Sequence, residues 1–233
     1  MNYRPFLYKL VMPKGADGYT ADLINRGECK TALDIGCGSA SHLSAFRPQI
    51  TTIGIDANQD AVSKSKANDL HDHYLVSDVL KQDITDIKQR LNGKELDIVT
   101  LYGVIEHFPK ADGYKLLEKC EQLTSKYILL ETPNGFFPQG PEFGNEYQRH
   151  LSGWFRNDLE GLGYSVFGTS GTKLFRGHDS FANFKFFGSD IPCIIGDVLA
   201  SWLLRISRNP QRAFNLVAIK DVRGIPARLS LPG

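Results

Sequence analysis

LDIGCGSA, residues 33–40, sets Gly36 and Gly38 directly after an apolar, β-rich run and before a segment expected to be helical. Glycines at such a junction let the chain turn tightly and let a ligand approach backbone N–H groups without interference from a Cβ. A Gly-x-Gly pair alone is a weak signal. In a dinucleotide-binding fingerprint the third glycine or alanine would fall at position 41, where Ser41 stands. Asp34 adds a negative charge at the end of the strand, which a pyrophosphate would not tolerate. The loop therefore suits a ligand with a positive centre and no phosphate.

On either side of this loop, short apolar runs alternate with helical segments, the order that builds a parallel sheet covered on both faces. TALDI (31–35), TTIGI (51–55), HYLV (73–76), LDIVTL (96–101) and YILLE (127–131) are the strand candidates. Their near-continuous apolar character is what strands buried on both sides require. Helices are expected near 40–46, 58–69, 84–91 and 111–123, with a surface helix over 17–28 that could also close over a ligand. After the fifth strand, residues 131–150 are rich in Pro and Gly and predict a long loop, a frequent place for function. A helix at 152–161, a strand at 163–168 and a last strand at 214–222 complete the chain, with an insertion between the last two strands.

The whole is one α/β unit of 233 residues: an N-terminal helical segment (1–29), a core (30–169), an insertion (170–212) and the last strand (213–222). Composition is that of an ordinary globular protein, 42% hydrophobic and 23% charged. A formal charge of +1 lacks the basicity of a nucleic-acid binder. Cys29, Cys37, Cys120 and Cys193 form no Cys-x-x-Cys pair or Cys/His cluster of metal-ligand spacing, so they read as reduced thiols and no metal is expected. Without a signal-like or membrane-spanning segment, the expected location is cytoplasmic.

Two further carboxylates follow the glycine loop. Asp56, at the end of the second strand and twenty residues beyond Gly36, stands where a carboxylate can accept both hydroxyls of an adenosine ribose. Asp78, after the third strand, is placed for an adenine amino group. S-adenosyl-L-methionine meets these demands, with a sulfonium, an ammonium and no phosphate. LDIGCGSA, GIDAN, SDVL and LDIVTLYGVIEHFPK jointly resemble the motifs of class I S-adenosylmethionine-dependent methyltransferases, among them the small-molecule group of ubiquinone-biosynthesis and sugar-modifying enzymes. The resemblance covers roughly residues 28–170 together with the last strand.

It implies a Rossmann-like, doubly wound, seven-stranded sheet, mostly parallel, with the last strand antiparallel. It also implies that Asp34, Gly36, Cys37 and Gly38 surround the methionine part of the cofactor. Asp56 with Ala57 would meet the ribose, Asp78 with Val79 the adenine, and the backbone carbonyl of Tyr102 the ammonium. Cys37 reads as a small residue packed under the cofactor. The reaction implied is methyl transfer to a hydroxyl, less readily an amine, of a small metabolite such as a sugar or lipid-linked intermediate. Two other readings stand beside it: a nicotinamide-dependent oxidoreductase, and a non-catalytic methyltransferase-like binding subunit.

His150, just after the Pro/Gly-rich loop, is the candidate general base, with helix capping as its plain alternative. Glu106 and His107 read as support for the cofactor loop, and the histidines at 42, 71, 73 and 178 as surface residues. Ile191, Ile194, Ile195, Val198, Leu199, Trp202, Leu203 and Ile206 fall on one helical stripe. Burial within the protomer is its expected use, with a homodimer or peripheral membrane contact through 191–206 as the alternatives. Residues 205–228 carry six basic side chains against Asp221, a local +5 that reads as a solvated face.

Overall fold

The computed structural model describes residues 15–25, 29–91, 95–141, 144–172 and 210–224. Seven strands form one sheet: β1 (Thr31–Ile35), β2 (Thr51–Asp56), β3 (His73–Val76), β4 (Ile98–Tyr102), β5 (Tyr127–Pro133), β6 (Ser165–Thr172) and β7 (Ala213–Asp221). Their order is β3-β2-β1-β4-β5-β7-β6. β1 to β5 pair in parallel, and β7 lies antiparallel between β5 and β6. This is the expected mostly parallel sheet with an antiparallel last strand. The strand order reverses at β1, with β2 on one side and β4 on the other, so the crevice at their C-terminal ends is the place where open α/β sheets take ligands.

Among the described residues, five α-helices accompany the strands: α1 (Ala16–Asn25), α2 (Gln59–Ala67), α3 (Ile84–Gln89), α4 (Lys110–Leu123) and α5 (Arg156–Glu160). The two faces of the sheet divide by residue parity, as side chains alternate along a strand. Leu33 and Ile35 pack with Leu116, Leu117, Cys120 and Leu123 of α4, whose 3.6-residue spacing buries one stripe. Ala32, Ile98, Leu129 and Ile219 face the other way and meet Tyr19, Leu23 and Ile24 of α1. Each such buried Leu or Ile stabilises the fold by about 1.5–3 kcal/mol of apolar transfer.

Two expected helices are largely replaced by other structure. Residues 40–46 form only a 3-10 turn, Ser44–Phe46. Ser41 Oγ is bonded to Asp34 and accepts the Leu43 N–H, while Ser44 Oγ donates to the Ser41 carbonyl; these local bonds compete with the helix. The helix expected over 152–161 shrinks to α5. Gly153 is pressed against the backbone of Phe136, where a Cβ would lie 2.3 Å from the amide nitrogen, and Trp154 bridges to Asn134 and Gly135. The Phe155 N–H instead donates to Asp158 at 2.9 Å and starts the shorter helix. The 191–206 stripe, nearly all of the 170–212 insertion and the first fourteen residues lie outside the described residues. No helix among the described residues is long and apolar enough to cross a membrane.

Candidate active site

The glycine loop is hooked onto the tip of β2. The N–H groups of Gly36 and Cys37 donate to the carbonyl of Ile55 at 2.8 and 3.1 Å, and the Gly38 N–H donates to Asp56 Oδ2 at 2.9 Å. Gly36 and Gly38 have φ of +67° and +57°, in the left-handed region. A Cβ on Gly36 would lie 2.5 Å from Cγ2 of Val104, whereas one on Gly38 would meet nothing closer than 3.9 Å. The first glycine thus lets the loop pack down on the β4 tip, and the second leaves open space above it.

Asp34 lies beneath the loop, 2% exposed, rather than lining it. Register places Gly54, Asp34 and Thr100 side by side across β2, β1 and β4. Thr100 Oγ1 donates to one carboxylate oxygen at 2.9 Å and Ser41 Oγ to the other at 2.7 Å. Burial holds the Asp34 carboxyl above the usual carboxylate range. Asp34 anchors the loop from below through Ser41.

The buried partner of Asp34 is His71, which is a correction to its expected surface position. His71 is 1% exposed, and its Nε2 faces Asp34 Oδ2 at 3.5 Å without the alignment of a hydrogen bond. Burial pushes its pKa below the ordinary imidazole value. Gly54 makes room for it, since a Cβ there would lie 2.6 Å from the His71 ring and 2.9 Å from Cys37 Sγ. Burial and the neighbouring Asp34 and Asp56 carboxylates push the Cys37 thiol up to about 12, so it packs under the loop as a neutral group and is no nucleophile.

Asp56 ends β2 half-buried, its Oδ1 accepting the Asn58 N–H at 2.8 Å. A carboxylate has about four lone-pair sites, so these two backbone bonds orient it and leave acceptor capacity for a ligand. Ala57 follows it at the start of the turn into α2. Asp78 Oδ1 accepts the Leu80 N–H at 3.0 Å and Oδ2 pairs with Lys81 at 3.2 Å, the geometry of a turn residue, and Val79 beside it is buried.

Tyr102 ends β4. Its ring lies 4.3 Å from that of His42, and its hydroxyl lies 2.5 Å from Thr20 Oγ1 on α1. Thr20 gives its proton to the Ala16 carbonyl, so Tyr102 donates to Thr20. His42 Nδ1 in turn contacts Asp17 Oδ1 at 2.6 Å, and that hydrogen bond raises the His42 pKa above its ordinary value. Helix α1 is therefore fastened by one polar contact to the end of β4 and by another to the segment that follows the glycine loop. Glu131, two residues before the end of β5, accepts from Thr169 and Asn215 at 3.2 Å each, and burial raises its pKa. Asp17, His42 and Glu131 are not singled out in the sequence; the end of the expected strand YILLE at Glu131 is the one signal among them.

His150 comes together with the Glu-His pair that follows β4. Its ring is 4.9 Å from that of His107, and one ligand atom from each of Glu106, His107 and His150 lies within 4.8 Å of the others. The Glu106 carbonyl accepts the N–H groups of Leu151 and Ser152 at 2.8 and 3.0 Å, clamping the loop to the β4 tip. Its buried carboxylate accepts from Thr132 Oγ1 at 3.0 Å, and burial raises its pKa to about 7. These bonds tie Glu106 to residues 151–152 and to β5, whereas the expectation was support for the cofactor loop, and they bring the two histidines to one place.

Residues 27–154, more than half of the chain, match a family model described as a methyltransferase domain. A search of curated proteins finds no match. Among solved structures, the fold is similar to that of a SAM-dependent methyltransferase from Archaeoglobus fulgidus, with 20% identity, coverage of 95% of this chain and 100% of that one, and a TM-score of 0.50. It is also similar to the plantazolicin methyltransferase BpumL in complex with a pentazolic desmethylPZN analog and SAH, with 16% identity, coverage of 95% and 85%, and a TM-score of 0.53. At these identities the solved structures speak for the fold, and the family model for membership. The glycine loop, the carboxylate it holds and the residues out to Trp154 all fall inside the matched span, and the chain belongs to the methyltransferase domain family.

Proposed function

We propose that this protein transfers a methyl group from S-adenosyl-L-methionine to a hydroxyl, less readily an amine, of a small metabolite. The observation that carries the reading is the Gly38–Asp56 hydrogen bond, which fixes a carboxylate at the lip of a glycine loop that has open space above it. A phosphate-free, cationic adenosine compound suits that loop where a pyrophosphate does not. Asp56 would accept from the ribose hydroxyls, Asp78 and Val79 would meet the adenine, and the loop from Gly36 to Gly38 with the Tyr102 carbonyl would hold the methionine end. When bound, the cofactor supplies an electrophilic methyl group on a good leaving group.

The chain's own task is then alignment, which contributes up to ~7–11 kcal/mol in well-oriented reactions. The acceptor side is the loop after β5. Phe136, Leu151 and Phe155 are 57%, 49% and 54% exposed there, close to the Glu106–His107–His150 cluster, an unusually apolar rim for a loop. This favours an acceptor with an apolar or ring-shaped body, of the sort a lipid-linked or aromatic metabolite offers. A neutral hydroxyl must lose its proton during transfer. His150 Nδ1 faces the Phe137 carbonyl at 2.7 Å; a carbonyl can only accept, so Nδ1 carries the proton and the lone pair falls on Nε2. That nitrogen can take the acceptor's proton.

Incubation with radiolabelled methyl donor and metabolite fractions separated into polar, sugar-nucleotide and lipid pools tests the reading. Label is expected in an acceptor fraction, and His150→Ala is expected to lower turnover by ~10²–10⁴-fold with donor affinity unchanged. Donor binding with no labelled product from any pool would instead favour a binding subunit.

A further inference from the structure

The carboxylate beneath the glycine loop faces a buried histidine that the methyl transfer itself does not use. We infer that His71, acting through Asp34, is a specificity-determining residue: the pair releases a proton when the cationic donor binds, and so favours the donor over the product, whose sulfur carries no charge. The inference rests on the S-adenosylmethionine reading above.

Both side chains are buried, and His71 Nε2 lies 3.5 Å from Asp34 Oδ2. Neither ring nitrogen of His71 has a hydrogen-bond partner. The backbone is held, since the His71 N–H donates to Tyr74 Oη at 2.8 Å, while the ring nitrogens stay open. The pair reaches the loop by two routes. Ser41 Oγ, just after the loop, donates to the same Oδ2 at 2.7 Å. The His71 ring and Cys37 Sγ, the latter within the loop, share the space that the missing Cβ of Gly54 leaves.

A buried carboxyl and a buried imidazole both avoid charge, and burial moves Asp34 up and His71 down accordingly. Two such groups in contact titrate as one unit. A proton between Oδ2 and Nε2, which a small ring rotation aligns, is common to both charge states of the pair. The neutral state carries a second proton on Nδ1; the anionic state has lost it to solvent. Because Nδ1 has no hydrogen-bond partner, no fixed group selects either state. A charge arriving above the loop does.

The neighbouring charged groups leave this role open. Arg47 and Asp72 face His71 but bond to each other at 3.2 Å, and their effects on it oppose. His42 acts on Asp34 but is held by Asp17. Asp56 and Asp34 both act on the Cys37 thiol, which stays neutral, and Thr100 and Ser41 only donate to Asp34. A sulfonium above the loop stabilises the anionic state, so a proton leaves as the donor binds. Methyl transfer removes the sulfonium charge, and the pair takes a proton back from solvent. The ammonium is common to donor and product and cancels between them. By linkage, donor affinity climbs with pH through the titration of the pair, while product affinity changes less.

Calorimetry on the full-length protein in buffers of different ionisation enthalpy counts the protons released, between pH 5 and 6.5, where α-amino groups of pKa ~7.7–8.0 stay protonated in both ligands. S-adenosylmethionine is expected to release more protons than S-adenosylhomocysteine, and the donor-over-product affinity ratio to rise at least ~5-fold across that range. Asp34→Asn, which keeps an oxygen for Thr100, is expected to abolish the difference. In wild type, nitrogen NMR of the labelled imidazoles is expected to show His71 Nδ1 losing its proton when donor is added at pH 6, while Nε2 keeps one; this needs no variant to fold. Equal proton counts for the two ligands, a flat affinity ratio, an undiminished difference in folded Asp34→Asn, or an unchanged His71 Nδ1 signal would overturn the inference. Binding of the donor with equal proton counts overturns the coupling alone, whereas no donor binding at any pH overturns the methyltransferase reading together with it.

Discussion

Asp56 accepts the backbone N–H of Gly38 at 2.9 Å, so the carboxylate at the tip of β2 and the turn at the tip of β1 form one rigid piece. The bond serves two ends. It orients the carboxylate toward the crevice, and it holds the loop in the left-handed conformation at Gly38. Asp56→Ala should therefore weaken S-adenosylmethionine binding by roughly 10- to 100-fold, since ribose hydroxyls and a backbone N–H both lose an acceptor. Calorimetry measures the loss directly, and Asp56→Asn, which can keep one acceptor oxygen, should fall between.

Gly36→Ala should destabilise the protein and abolish donor binding together. The new methyl group would sit 2.5 Å from Val104 Cγ2 at a φ of +67°, combining a clash with left-handed strain, for a cost of about 2–4 kcal/mol. Adding Val104→Ala relieves the clash but not the strain. Thermal melts of the single and double variants should show partial recovery only.

Trp154 holds the loop after β5 in place. It is fully buried, its indole N–H donates to Ser152 Oγ at 3.0 Å, Lys110 Nζ lies 3.7 Å from its ring centroid, and Gly113 leaves it room. Trp154→Ala should cost about 3–5 kcal/mol by cavity formation. Trp154→Phe should lose less stability yet still loosen residues 134–154, which amide exchange would register as faster exchange at Gly135, whose N–H donates to the Trp154 carbonyl.

The Asp17–His42 pair gives stability a definite pH sign. Its hydrogen bond raises the folded-state pKa of His42 above 6.5, so its contribution is complete below the unfolded value and fades as pH rises through the folded one. Both side chains are substantially exposed, so solvent screening keeps the contribution to about 0.2–1 kcal/mol. Wild type should melt slightly above Asp17→Asn at pH 5.5, and the two should converge by pH 9. A gap that widens toward alkaline pH would contradict the pairing.

The strands are legible in the sequence because burial on both faces leaves little choice of residue: TALDI is buried at all five positions. The antiparallel last strand is legible only through the family resemblance, since nothing in FNLVAIKDV states its direction. Where the reading departs from the structure, local polar bonds explain it. Ser41 and Ser44 bond within their own turn and prevent a helix at 40–46, and Gly153 and Trp154 spend their backbone on residues 134–136.

Side-chain destinations are harder still to read. Asp34 and Asp56 look alike as acids near strand ends and share a face of the sheet, yet Asp34, one residue short of its strand's end, is buried between Thr100 and Ser41, while Asp56 closes its strand and stays half-buried. His71 gives no sign of burial until the missing Cβ of Gly54 opens a space for its ring. The Glu106–His107–His150 cluster is a product of the loop's return path, set by two N–H bonds to one carbonyl.

The central claim is that the carboxylate-held glycine loop takes a cationic, phosphate-free adenosine compound. Parallel calorimetric titrations of the wild-type protein with S-adenosylmethionine and with a nicotinamide dinucleotide test it most directly. Saturable one-to-one binding of the first and no heat from the second is the predicted result; saturation by the dinucleotide with no response to S-adenosylmethionine would contradict it.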